Sequence, residues 1–111
     1  MQISVIIPTR NRASLLNRTL NSIVGQTLKQ TKFETLVIDN GSKDDTKKTV
    51  DSFINKIANL KYFYEETPGL HVGRHRGLKE AQSDILVYAD DDIEAFPTWL
   101  EALKESFKDD K

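Results

Sequence analysis

Asp84-Ile85-Leu86-Val87-Tyr88-Ala89-Asp90-Asp91-Asp92 is a short apolar run that ends in three consecutive carboxylates. Ile85 to Ala89 has the length and β-branched content of a parallel strand whose side chains are covered on both faces and so need not alternate. The acids behind it repel one another, and such a cluster at a strand's carboxyl end is stabilised when a cation or strong hydrogen-bond donors neutralise it. A hard divalent ion suits this chemistry. Mg2+ and Mn2+ favour oxygen ligands, and Mg2+ typically takes one or two carboxylates, with water and substrate phosphates completing its shell. Ligands in open α/β sheets also sit beyond the carboxyl ends of the strands. Taken alone, an acidic triplet after a strand is more often only a solvated turn, so its meaning depends on the rest of the chain.

Strand-like and helix-like patterns alternate from the first residues onward, without repeats, low-complexity tracts or linkers, which predicts a parallel sheet with helical crossovers. Ile3 to Ile7 is a first strand stopped by Pro8, and Thr9-Arg10-Asn11-Arg12 turns the chain with Asn11 as the expected helix N-cap. Leu16, Leu20, Ile23 and Val24 then form one apolar stripe, and Gly25 suits the helix end. Phe33 to Asp39 is a second strand that also ends in an acid. Asn40-Gly41 predicts a tight turn after it, and Ser42 with Asp45 resembles a capping box for a helix striped by Val50, Phe53, Ile54 and Ile57. Leu60 to Glu65 reads as a third strand and Thr67-Pro68-Gly69 as a turn. Pro97 opens a last helix with Trp99, Leu100, Leu103 and Phe107 apolar, and Lys108 to Lys111 reads as a frayed tail.

The segment from Leu70 to Ala81 is expected to be helical through Val72, Leu78 and Ala81, although Gly73 and Gly77 each cost about 1 kcal/mol relative to alanine there. Glycines four apart share one face and permit close approach of another backbone or a ligand, and for Gly77 tight helix–sheet packing is expected rather than ligand contact. Arg74, His75 and Arg76 lie between them. A guanidinium grips phosphate bidentately, so one of these cations is a candidate for a diphosphate contact against the plainer reading of a solvated basic face. His71 and His75 have a zinc-compatible spacing, but no carboxylate in the segment completes such a site, and zinc is not expected.

Length and composition set the limits. At 111 residues the chain makes one domain with a real core, small for an enzyme that holds two substrates. A net charge of −1, with 16 basic and 17 acidic residues interspersed, argues against a general nucleic-acid or membrane-surface binder. The absence of cysteine excludes disulfides, thiolate metal sites and cysteine nucleophiles. No apolar run approaches a membrane span and no secretory leader is evident, so a cytoplasmic location is expected.

Several of these pieces together resemble one family. Ser4-Val5-Ile6-Ile7-Pro8-Thr9-Arg10-Asn11-Arg12, Leu36-Val37-Ile38-Asp39-Asn40-Gly41-Ser42, Gly73-Arg74-His75-Arg76-Gly77-Leu78, the Asp84–Asp92 stretch and Pro97-Thr98-Trp99-Leu100 stand in the order found in the nucleotide-binding half of family 2 glycosyltransferases. The resemblance implies a three-layer α/β/α sandwich, a Rossmann-like parallel sheet of about four strands ordered 3-2-1-4, and an A-type glycosyltransferase fold. It further implies that Pro8 and Thr9, with Arg10 beside them, line the nucleoside pocket and that Asp39 hydrogen-bonds the base, with uracil the expected one. Arg74 would lie near the nucleotide and Asp90 near the ribose or sugar. Asp92 with Asp90 would hold a divalent cation, Mn2+ or Mg2+, at the diphosphate, and Asp91 would lie at the nucleotide. In an extended Asp-x-Asp segment the first and third side chains point the same way, which favours Asp90 acting with Asp92.

The implied function is the donor-binding portion of a transferase that moves a sugar from a nucleoside diphosphate sugar, UDP-linked by family habit, to an acceptor hydroxyl with inversion. Residues 1–111 would form a single donor-binding domain. The acceptor-binding half of the family is expected to be absent, leaving a truncated or excised, inactive unit with no identifiable general base; Glu94 reads as a solvated loop acid. His75 and Gly73 depart from the Asn and Ala usual in the family. Three other readings remain open: a nucleotide-binding module without catalysis, a receiver-like signalling domain, and an assembly fragment that self-associates through an uncovered sheet edge. The receiver reading is disfavoured because Pro8-Thr9 stands where its acid pair would follow the first strand.

Overall fold

The computed structural model describes residues 2–67 and 69–109. Its order is β1 (Ile3–Thr9), α1 (Ala13–Val24), a 3-10 turn (Gln30–Lys32), β2 (Phe33–Asp39), α2 (Thr46–Asp51), β3 (Leu60–Tyr64), α3 (Leu70–Glu80), β4 (Ile85–Tyr88) and α4 (Trp99–Asp109). The four strands form one parallel sheet ordered β3-β2-β1-β4, as the resemblance implied. Parallel crossovers are right-handed, so the two that step from β1 towards β3 put α1 and α2 on one face. The return from β3 across to β4 puts α3 on the other.

Strand alternation divides the core between these faces. Ile3, Val5 and Ile7 of β1 and Phe33 and Val37 of β2 pack with Leu16, Leu20 and Ile23 of α1, Val50 of α2 and Leu100 of α4. Ile6, Leu36 and Ile38 form a smaller cluster on the opposite face. The helix over that face, α3, presents its buried Gly73 and Gly77, while Leu78 is exposed, contrary to the apolar stripe expected there. Its axis lies so near the sheet that a Cβ on Gly77 would overlap Ile6 Cγ2.

Several local expectations are overturned. Pro8 does not stop β1, which runs on to Thr9. The Ile6 carbonyl accepts from the Ala89 N–H at 2.9 Å, so Pro8, two residues on, faces the same side. There β4 has ended at Tyr88, and the missing proline N–H costs no ladder bond. Asn11 is not a cap but a left-handed turn residue (φ 53°) whose N–H donates to Ser42 Oγ and whose Oδ1 accepts from the Lys43 N–H. The Ser42–Asp45 capping box does not form. Asp44 acts instead, accepting from the Ala13 N–H at 3.1 Å with one oxygen and from the Thr46 N–H and hydroxyl with the other. The Thr46 hydroxyl is the main reason its carboxyl is held below the ordinary aspartate range. One aspartate thus satisfies orphan donors at the starts of α1 and α2. Asp44→Ala should lower stability by about 1–2 kcal/mol in denaturant melts, the range of a lost cap.

The helix expected through Ile57 ends at Asp51 and continues as turns, leaving Val50, Phe53 and Ile57 buried but Ile54 exposed. The β4 strand is the sheet's half-buried edge rather than a strand covered on both faces, and Tyr88 on it is 43% exposed. Pro68 of the expected turn and the Asp110–Lys111 end of the tail lie outside the described residues.

Candidate functional site

Beyond the carboxyl ends of β1, β2 and β4 lies a cavity of about 520 Å3. Its walls come from Pro8, Thr9, Arg10 and Arg12 after β1, Asn40 after β2, Gly69, Gly73 and Arg74 around the start of α3, and Tyr88 to Asp92 after β4. Every site residue nominated from the sequence lines it except Asp39. Gly73 faces Pro8, Ile38 and Asn40, with room for a methyl group in ordinary van der Waals contact, so the closeness of α3 to the sheet is set at Gly77 rather than here.

The acidic triplet is divided by burial. Asp91 is only 5% exposed; it accepts from Thr9 Oγ1 at 2.8 Å through one oxygen and from Arg12 Nη1 at 2.8 Å through the other. Asp90 and Asp92 are exposed, and Asp92 Oδ2 stands 3.7 Å from the same Arg12 nitrogen. The hydrogen bond to Asp91, reinforced by its charge, raises the Arg12 pKa above its ordinary value. The chain is not extended here, because Asp91 and Asp92 lie in a turn. The alternation argument for pairing Asp90 with Asp92 therefore does not apply; the two stand open to solvent because Asp91 is the residue drawn inward by Thr9 and Arg12. The segment behind them is pegged to α1 and the turn after it: Thr19 Oγ1 donates to the Ile93 carbonyl at 2.7 Å, Gln26 Nε2 to the Phe96 carbonyl at 2.9 Å, and the Leu100 N–H to Gln26 Oε1 at 3.0 Å.

Two open carboxylates beside a cavity fit the donor set of Mg2+ or Mn2+, which commonly takes one or two carboxylates and completes its shell with water and phosphate oxygens. Among the described residues no group of three or more His, Asp or Glu side chains converges as a protein-only metal cage.

Asp39 and Asn40 are separated by strand alternation. Asp39 is buried on the α1–α2 face, where Oδ2 accepts from Tyr62 OH at 2.6 Å and Oδ1 from the Ser42 N–H at 2.9 Å. Burial, with the bond to Asp39, pushes the Tyr62 phenol far above its ordinary pKa, so it stays protonated and donates. Asn40 faces α3 instead, donating to the Thr67 and Gly69 carbonyls and accepting from the Gly69 N–H, and so holds the loop at the cavity mouth. Arg74 is exposed on the cavity wall with its guanidinium 6.0 Å from the Tyr88 ring centroid, and Tyr88 OH donates to the Arg74 carbonyl at 3.2 Å. Arg76 turns away to Glu65, Glu80 and the Phe63 ring. The structure thus picks Arg74 from the basic run as the residue at the cavity. Glu94 is a solvent-exposed acid, 3.4 Å from Arg18.

Sequence reasoning missed Arg12, Asn40 and Tyr88. Asn40 was read only as a turn residue and Tyr88 only as part of a strand. Arg12 could have been flagged as the cation nearest a strand end that needs its acids neutralised, but its distance from Asp91 in the chain hid the pairing.

Comparison with known proteins decides the family. The profile described as glycosyl transferase family 2 matches residues 4–111. The chain belongs to that family. Among family 2 relatives, glycosyltransferase AglE of Haloferax volcanii is 37% identical over 100 residues, which are 89% of this chain and 33% of AglE. The crystal structure of S. aureus TarS 1-349 in complex with UDP superposes with a TM-score of 0.92 at 32% identity, over 98% of this chain and 32% of that one; TarS was also solved with UDP-GlcNAc. The mannosyltransferase PcManGT from Pyrobaculum calidifontis, solved with GDP-Man and Mn2+, superposes with a TM-score of 0.76 at 29% identity, over 82% of this chain and 27% of that one. The architecture is therefore the A-type glycosyltransferase fold, and the chain spans about a third of the length of these relatives. Among the described residues no helix is long and apolar enough to cross a membrane.

Proposed function

We propose that this chain binds the nucleoside diphosphate part of a sugar donor, a UDP-sugar, in the cavity between Thr9, Arg74 and the acidic turn, as the donor-binding unit of an inverting glycosyltransferase. The observation that carries the reading is the convergence of two exposed arginines, Arg10 and Arg74, and two exposed carboxylates, Asp90 and Asp92, on a cavity built at the carboxyl ends of the strands. Its likeness to TarS, solved with UDP and UDP-GlcNAc, favours uracil as the base.

In this reading Pro8, Thr9 and Arg10 form the nucleoside wall. Asp39, whose carboxylate Tyr62 and Ser42 hold outside the cavity wall, takes the base N–H in this reading on the family resemblance alone. Arg74 meets the diphosphate with a charged, planar donor set. Asp90 approaches the ribose or sugar hydroxyls, and Asp91 fixes the turn that presents its neighbours. Asp90 and Asp92 would hold Mn2+ or Mg2+, which supplies charge neutralisation to the departing diphosphate; the likeness to PcManGT, solved with Mn2+, supports a divalent ion in this reading. Residues 1–111 act as one donor-binding domain. The cytoplasmic location belongs to the same proposal.

Calorimetric titration of UDP into the chain, with Mn2+ and with chelator, tests it. Binding should be stronger with Mn2+. Asp92→Ala should remove that metal effect, and Asp39→Ala should weaken binding on the order of tenfold, equivalent to about 1.4 kcal/mol. A folded wild type that binds neither UDP nor other nucleoside diphosphates would refute the reading.

A second reading, self-association, is favoured by the exposed Tyr88 and Phe96, which line one shallow surface pocket beside the free edge of β4. It predicts a concentration-dependent sedimentation coefficient that Phe96→Ser abolishes.

A further inference from the structure

The acidic turn already has a cation beside it. Arg12 Nη1 donates to Asp91 Oδ1 at 2.8 Å and lies 3.7 Å from Asp92 Oδ2, while Asp91 is anchored by the Thr9 hydroxyl at 2.8 Å. The two contacts differ in kind. The bond to Asp91 is short and shielded, because that carboxylate is buried. The approach to Asp92 is longer than a hydrogen bond and nearly half exposed on both sides, the side chains being 49% and 47% accessible. One guanidinium therefore combines a fixed partner with a loose one, and only the fixed partner holds it in place.

We infer that Arg12 is a positioning residue that serves as the built-in counter-cation of the donor site: it anchors the turn through Asp91 and neutralises part of the charge on Asp92 until a divalent ion takes that carboxylate. The inference rests on the donor-site reading above and deepens it by assigning the control of metal affinity to a residue outside the metal-holding pair. Arg12 keeps its bond to Asp91 when Asp92 changes partner, so the turn does not have to refold around an arriving ion. Its remaining positive charge opposes that ion, which lowers affinity for the free metal. A nucleoside diphosphate brings negative charge and offsets that repulsion, so metal and nucleotide bind better together than apart. The reciprocity of linkage requires the same factor in both directions.

The test is a titration of the chain with Mn2+ alone, free Mn2+ being read from its electron paramagnetic resonance signal, for wild type, Arg12→Gln and Arg12→Lys. Each variant is first checked for a cooperative thermal transition. Removing one unit charge near a divalent ion at a water-exposed site should tighten Mn2+ binding about three- to tenfold in Arg12→Gln. Arg12→Lys keeps the charge and should stay within about twofold of wild type. Asp92→Ala in the Arg12→Gln background should cancel the gain. A merely structural role predicts the opposite, weaker Mn2+ binding in Arg12→Gln as the turn loosens. Equal or weaker binding in that variant, or no Mn2+ binding by any of the proteins, overturns the inference.

A second measurement needs no variant: titration of the wild type with Mg2+ should shift the Arg12 side-chain N–H resonance in step with metal binding, and an unmoved resonance overturns the inference even if Arg12→Gln does not fold. UDP titrations separate the two levels. UDP binding to the wild type together with an Arg12→Gln variant of unchanged Mn2+ affinity would sink this inference alone. Tightened Mn2+ binding in Arg12→Gln without UDP binding to the wild type would sink the donor-site reading instead.

Discussion

Gly77→Ala should destabilise the chain by about 3 kcal/mol, the upper part of the range for overpacking a close-packed interior. The added methyl would overlap Ile6 Cγ2, and neither side can move freely. Ile6 is fully buried in β1, which is paired on both sides, by β2 and β4. Helix α3 must then lift or slide, carrying Gly73 and Arg74 with it, so nucleotide affinity should fall together with stability. The gain in helix propensity from glycine to alanine, about 1 kcal/mol, works against this cost and is too small to cancel it. Ile6→Ala removes the overlapped methyl at the expense of a cavity. The Gly77→Ala/Ile6→Ala double variant should therefore be more stable than the sum of the two single losses predicts, a coupling that urea melts of all four proteins measure. Strict additivity would mean that the helix does not rest on Ile6.

Glu34→Gln should cost about 2 kcal/mol at neutral pH, because a charged acceptor of several hydrogen bonds becomes a neutral one. Glu34 is fully buried near the start of β2, at the end of the sheet opposite the cavity. Its Oε2 accepts from Ser4 Oγ and from the Gln82 N–H, and Oε1 accepts from Lys61 Nζ at 2.9 Å, joining β1, β2, β3 and the exit of α3. An amide in the same place turns an NH2 group towards the Lys61 ammonium, donor against donor. Lys61 is partly exposed and can swing to solvent, which limits the loss. Burial by itself raises the Glu34 pKa, but the donors from Ser4, Gln82 and Lys61 outweigh it and hold the carboxyl below the ordinary glutamate value. The sign follows from linkage: the folded state favours the ionised form, so this contribution is present in full above the ordinary value and is lost as pH falls through the depressed one. The stability difference between wild type and Glu34→Gln should thus be constant at neutral pH and shrink in acid. A difference that grows in acid would contradict the network.

The polar residues that failed as sequence signals show where local reading ends. Ser42 and Asp45 have capping-box spacing, yet Ser42 is taken by the Asn11 N–H and Asp44 caps two helices at once. Spacing rules assume that a side chain bonds within its own turn. Here the loops after β1 and β2 lie side by side, and partners 31 residues apart compete better. Leu78 failed for a related reason: in α3 the fit of Gly77 against the Ile6 side chain decides which face meets the sheet, so the glycines go inward and the leucine is left outside.

By itself the sequence determined the alternation of strands and helices, the parallel sheet, the place of the acids and glycines at its ends, and through its ordered motifs the family. These are encoded in local periodicity and short spacings, which survive without knowledge of what packs on what. Only the tertiary structure decided which acid is buried, that Arg74 rather than Arg76 lines the cavity, that Arg12 holds a carboxylate, and that Asp39 and Asn40 face opposite sides of the sheet. Those outcomes depend on pairings such as Arg12 with Asp91, 79 residues apart, whose energy exists only once β1 and β4 lie side by side.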